Sequence, residues 1–231
     1  MYTDNIERID YKGLRIEIIQ DDDAQSPRDW DNLGTMTCFH RNYGLGDKHK
    51  MTPDELLELI KRKDVIALPL FLLDHSGLWI STSRYDCDPQ GWDTSKVGYI
   101  WITYERIKQK MARPKRLKKG QINPDLQEIK YLTKRDIARA TKCLLNEVET
   151  YNRYLTGDVY GYCITDPDNI ITEESCWGFF GIEDCIEEGK SIADDMSKEK
   201  QKIQDQEFAD ELQENIRQAH FELCREMVMA A

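Results

Sequence analysis

The sequence predicts an α+β fold: a mostly antiparallel sheet with packed helices and a long acidic C-terminal helical region. Three observations predict it. Short apolar and β-branched runs separated by turn residues dominate the middle of the chain. Two helix starts interrupt them, Thr52-Pro53-Asp54-Glu55 and Thr133 with Asp136 three residues on. From Ile182 the pattern turns helical, and Phe208, Leu212, Ile216, Ala219, Leu223 and Met227 recur at spacings of three and four.

The elements follow in order. Leu14 to Ile19 reads as a strand, and Asp21 to Leu33 as a polar loop broken by Ser26-Pro27. Thr35 to His40 fits a second strand, and Tyr43 to Lys50 a connection. Thr52 caps a helix that ends near Lys63, with Leu56, Leu57, Leu59 and Ile60 on its apolar face. Val65 to Leu73 is a buried strand despite Pro69. Asp74-His75-Ser76-Gly77 turns it back into Leu78 to Ser83. A polar connection over Asp86 to Ser95 leads to a strand over Val97 to Thr103, and Thr103 caps a helix to about Met111. A basic loop follows, and Thr133 opens a helix to about Tyr154. Gly157 to Thr165 and Ile170 to Phe180 form a second hairpin turned at Asp166-Pro167-Asp168-Asn169. Helix then runs to the C-terminal end, with a break expected near Met196. The expected organisation is one α+β domain over 1–181, including a basic loop at 105–130, and an acidic helical region over 182–231.

Of the 231 residues, 40% are hydrophobic, which suffices for a core and excludes wholesale disorder. The longest apolar run, Val65 to Leu73, is far short of the ~20 residues a membrane-spanning helix needs. The first residues lack the basic and apolar regions of a secretory leader. The 7 cysteines contain no CxxC pair, which excludes a zinc ribbon or a thioredoxin-type motif and favours reduced, mostly buried thiols. The net charge of -11 is an average over unlike blocks. Residues 105–142 hold 13 basic and 4 acidic side chains, whereas 172–231 hold 6 and 16.

Candidate chemistry is sparse. His40, Asp74, His75 and Asp93 form an acid–histidine set that could bind a divalent cation or exchange protons. Asp86-x-Asp88 imitates the start of a calcium loop, but Val97 stands where the closing Glu belongs. Asp88 and Asp93 are therefore only weak metal candidates. Cys38 lies two residues from His40, on the same face if both are in a strand. Its bland reading, a small buried side chain, is favoured. Gly44-Leu45-Gly46-Asp47-Lys48 lacks the spacing of a phosphate loop. Lys108, Lys110, Arg113, Lys115, Arg116, Lys118 and Lys119 could neutralise nucleic-acid phosphates, with Lys115, Arg116, Lys118 and Lys119 at the centre. The acidic residues beyond Ile182 could in turn imitate a phosphate track. Arg28, Trp30, Asp31 and Trp92 sit in loops and are candidate partner contacts.

Four strings stand together in order: Ser26-Pro27-Arg28-Asp29-Trp30-Asp31-Asn32-Leu33-Gly34, Asp74-His75-Ser76-Gly77, Gly91-Trp92-Asp93 with Val97-Gly98-Tyr99, and Leu155-Thr156-Gly157-Asp158-Val159-Tyr160-Gly161-Tyr162. Over residues 14–190 they resemble a family of uncharacterised accessory proteins of phages and bacterial mobile elements. Asp29 stands where that pattern usually has Glu, and Ser95 where it has glycine. The resemblance implies a context, not a reaction. The expectation is a cytoplasmic protein of the bacterial host cell that binds and inhibits a host defence complex, of the anti-CRISPR kind, by blocking a nucleic-acid-binding surface. The expected partner is a host defence protein or ribonucleoprotein, with nucleic acid through 108–119, a dimer through the C-terminal helix, and no membrane. No cofactor is expected on this reading. The rival is a metal-dependent hydrolase of nucleic acid or nucleotide using His40, Asp74, His75 and Asp93 with a divalent cation. The third reading is a nucleic-acid-binding accessory protein.

Overall fold

The computed structural model describes residues 5–88, 90–111 and 132–229. Lys115, Arg116, Lys118 and Lys119, and with them most of the expected basic loop, lie outside the described residues. The elements in chain order are β1 (Asn5–Tyr11), β2 (Leu14–Gln20), a 3-10 turn (Pro27–Asp29), β3 (Thr35–Cys38), α1 (Pro53–Ile60), β4 (Val65–Asp74), β5 (Leu78–Ser81), β6 (Thr94–Thr103), α2 (Tyr104–Met111), α3 (Lys134–Thr156), β7 (Val159–Thr165), β8 (Glu174–Phe180) and α4 (Ile182–Met229). The fold is α+β with two antiparallel sheets and a long C-terminal helix.

The contacts divide the chain otherwise than at 181/182. One compact unit joins Met1–Asp22 to Val159–Ala231, and the other is Asp23–Asp158. The second unit is thus inserted between β2 and β7. Its entry and exit lie side by side, because Asp21 N donates to Val159 O at 2.8 Å. An insertion whose ends meet leaves the host sheet intact.

In the first unit the strand order is β1-β2-β7-β8. β1 was not expected from the sequence. It pairs with β2 through the two-residue Lys12-Gly13 turn, both at positive φ as a right-twisted hairpin demands. Leu14, Ile16 and Ile18 point to one face, where Tyr162 and Ile164 join them. The first half of α4 covers that face with Cys185, Gly189, Ala193, Met196 and Lys200, all buried. α4 runs unbroken through Met196, which packs into this core and interrupts nothing. Beyond Gln204 nearly every described position of α4 is exposed.

The buried lysine is compensated. Lys200 Nζ reaches Asp166 and Asp168, each at 2.7 Å, in the β7–β8 turn. Asp166 also accepts from the backbone of Asp168, Ile170 and Ile171. Burial alone would raise its carboxyl pKa; Lys200 and those N–H groups outweigh burial and bring it down to about 2.

In the second unit the order is β3-β6-β4-β5. Pro69 lies in β4 without loss, because β5 pairs only from Phe71 onward, so Pro69 has a ladder partner only in β6. α3 lays Ala140, Leu144, Val148 and Tyr151 onto the core formed with Met36, Leu70, Ile80, Ile100 and Ile102. Both expected capping boxes are present, at Thr52/Glu55 and Thr133/Asp136, and Gly157 ends α3 in the left-handed conformation.

Candidate functional site

Arg28 is the hub of the second unit. The 3-10 turn, capped by Ser26, delivers its side chain inward, where it is 4% exposed. Its Nε and Nη2 donate to the two oxygens of Asp47 at 2.7 and 3.0 Å. Nη1 donates to Glu147 on α3 at 3.1 Å, and Nη2 also to Gly34 O at 3.0 Å. Glu147 in turn accepts from Leu33 N at 2.7 Å and from Gly34 N, and Asp47 from Met36 N at 2.8 Å. Burial works against the guanidinium charge, but the two carboxylates prevail and raise its pKa. Sequence pattern marked Arg28 as a partner contact; the structure makes it an internal strut joining two loops and a helix. Asp31, from the same loop, pairs instead with Lys110 of α2, which lowers its pKa, and Arg106 of α2 donates to Asn32 O at 2.7 Å.

Beside the hub lies a cleft of about 920 Å³, lined among others by Asp29, His40, Arg41, Tyr43, Lys48 and His49. His40 stacks on Tyr43 with ring centroids 5.0 Å apart, and its Nδ1 accepts from Asn42 N. His49 Nε2 lies 3.0 Å from Cys38 O. A carbonyl only accepts, so Nε2 carries the proton, and the buried Nδ1 has no partner among the described residues. Cys38 has the setting of a structural thiol: β3 ends at it, and burial, then the charge of Asp47, pushes its thiol up to about 12.

The acid–histidine set is brought together only in part. Asp74 N donates to Asp93 O at 2.9 Å, and His75 Nδ1 meets Asp93 Oδ2 at 2.9 Å. His40 belongs to the cleft, whose lining includes none of Asp74, His75 and Asp93. The four expected residues therefore do not make one centre. Among the described residues no three His, Cys, Asp or Glu side chains converge as metal ligands. Asp88, a weak metal candidate, has another task. Its Oδ2 accepts from Asp93 N, Thr94 N and Thr94 Oγ1 at 2.9, 2.9 and 3.0 Å. Burial opposes its charge, but these donors and the Trp92 N–H hold its pKa below the usual value.

That fixed turn carries Trp92, whose side chain stands 83% exposed, while Trp30 is 50% exposed. A groove of about 460 Å³ lies in the same region, lined by Phe71, Arg84, Tyr85, Asp86, Thr94 and Lys96 among others. Trp101, by contrast, donates its Nε1–H to Thr37 Oγ1 at 3.0 Å within the sheet. The turn residues were legible in sequence as a polar connection. The use of Asp88 as its clasp was not, although Asp88-Pro89-Gln90-Gly91 carries the residue types of a tight turn.

No family model matches the chain, and neither a curated protein nor a solved structure matches it. Among the described residues no helix is long and apolar enough to cross a membrane.

Proposed function

We propose that the protein is a binding protein that acts by contact, with Trp92 as the anchor of its partner-facing surface. One observation carries this reading: a tryptophan is held 83% exposed on a turn whose backbone is clamped by Asp88. A mobile loop carrying an exposed indole would lose backbone entropy on binding; a backbone already clamped has lost that part beforehand. Large aromatic side chains beside a groove are the anchors that dominate interface energies. The partner is a protein of a host defence complex, of the CRISPR-effector kind, and the protein inhibits it by covering a nucleic-acid-binding surface. The four sequence strings support the phage context. The acidic stretch over 172–231, with 16 acidic and 6 basic residues, supports an affinity for a basic groove.

The test is plating of a phage on bacteria whose effector restricts it. Expression of the natural chain restores plating. Trp92→Ala, with an unchanged circular dichroism spectrum, loses the effect, and its affinity for the captured partner falls about thirtyfold or more. No restoration in any effector background overturns the defence reading. Equal affinity of Trp92→Ala and the natural chain overturns Trp92 as the contact.

A further inference from the structure

α4 carries two apolar stripes; the first packs on the sheet, and the described residues of the second are exposed. Cys185, Gly189, Ala193, Met196 and Lys200 face the sheet and are buried. The second stripe runs through helix positions 208, 212, 216, 219, 223 and 227. At 3.6 residues per turn it is rotated about 150° from the first, so it does not extend the face that covers the sheet. Phe208, Leu212 and Ile216 are 68%, 51% and 62% exposed. A helix of this length with one apolar face in water lacks the tertiary packing that normally stabilises helices.

The pattern of this stripe selects its occupant. Its spacings are 4, 4, 3, 4 and 4, which read the same in both directions. Two copies laid antiparallel therefore match position for position: 208 against 227, 212 against 223, and 216 against 219. The spacing is also an 11-residue repeat, which keeps a helix pair nearly straight. Charge gives the direction. Positions 205–214 hold Asp205, Glu207, Asp210, Glu211 and Glu214 and no basic residue. Arg217 and Arg225 lie beyond them. Parallel copies would set the same five carboxylates side by side; antiparallel copies set them beside 217–231, which holds Arg217 and Arg225 with Glu222 and Glu226 and is balanced in charge, so the antiparallel pairing carries less like-charge repulsion.

We propose that the distal half of α4 pairs with the same segment of a second copy, antiparallel and centred between Arg217 and Gln218. This surface does not include Trp92, although it lies within the acidic stretch over 172–231, and the Trp92→Ala and dimer-mass measurements report on the two proposals separately.

Sedimentation equilibrium of the full chain gives a dimer mass that dissociates on dilution. The double variant Leu212→Asp/Ile216→Asp, carboxylates placed where apolar contact is needed, weakens self-association by about a hundredfold or more. Neither position packs in a core, so its far-ultraviolet circular dichroism still shows the native strands and helices. Direction is read by a photoreactive phenylalanine analogue at Gln213. In the isolated crosslinked dimer, after trypsin, it joins the peptide 203–217 to the peptide 218–225 of the other copy. A monomer at the highest soluble concentration overturns the proposal, as does a dimer that the double variant leaves intact. Crosslinks from 203–217 to its own copy of 203–217 overturn the antiparallel arrangement.

Discussion

Replacing Arg28 by methionine tests whether the hub holds the second unit together. The substitution keeps length and apolar volume but removes every donor of the guanidinium. Asp47 and Glu147, with side chains 24% and 14% exposed, keep only their backbone N–H partners. Breaking a buried ion pair from one side costs about 3–5 kcal/mol, because the remaining charge is left in a poor solvent. For a unit of this size that lowers the unfolding midpoint by about 10–15 °C. The loss is partly recovered in Arg28→Met/Glu147→Gln, by about 1–2 kcal/mol, since the amide oxygen still accepts from Leu33 and Gly34 without carrying charge. Urea unfolding followed by tryptophan fluorescence is the assay. Trp30, Trp79, Trp92 and Trp101 belong to the inserted unit and only Trp177 to the other, so the signal follows the unit that is perturbed. A loss below about 1 kcal/mol, the worth of an exposed pair, would refute the reasoning.

Two further outcomes follow from the buried groups. Asp166 has a pKa of about 2 in the folded chain against an ordinary 3.8, so its contribution to stability is complete above pH 4 and is lost as pH falls through 2; Lys200→Met, which removes its partner, flattens that part of the stability–pH curve, and an unchanged curve would count against the pairing. Alkylation of the native chain followed by mass spectrometry modifies the exposed Cys87 and Cys176 first, while Cys38 and Cys185, both pushed up to about 12 by burial, react only on unfolding. Rapid native labelling of Cys38 would contradict its setting.

What the sequence reveals and what it conceals divide by range. The capping boxes at Thr52 and Thr133 were legible because all their atoms lie within four residues. The β4–β5 and β7–β8 hairpins were legible because turn residues sit between apolar runs. β1 was hidden because Asn5–Tyr11 is an edge strand with few apolar positions, although Lys12-Gly13 before Leu14 is a hairpin signal. The continuity of α4 was obscured because its two stripes have different phases, and a change of phase looks like a break. The Arg28 hub was beyond reach, since its partners stand 19 and 119 residues away. The two-unit division was hidden for the same reason: it depends on Asp21 meeting Val159.

The four strings can now be separated into frame and contact. Ser26 caps the turn that aims Arg28 inward, and Asn32 donates to Pro27 O at 2.7 Å within the same loop. At Gly98 a Cβ would stand 2.0 Å from the Thr37 carbonyl, so any side chain there breaks the β3–β6 pairing. Gly157 stops α3, and Asp158 N then donates to Arg153 O at 2.8 Å, which turns the chain toward β7. Asp93 braces His75, and Asp88 closes the loop around them. These residues spend their hydrogen-bonding capacity and their missing side chains on the protein itself. Trp92 does the opposite: the frame fixes its backbone and leaves its ring in water. A chain that shares the strings therefore shares these parts of the scaffold, whereas Asp88, the clasp of the turn, lies outside them. On the binding role proposed above, the choice of partner falls to what the turn holds out and to the groove beside it, where Phe71, Arg84, Tyr85 and Lys96 lie outside the strings. Exchanging Arg84 and Lys96 for acidic residues should consequently change which partner is captured while leaving the fold untouched.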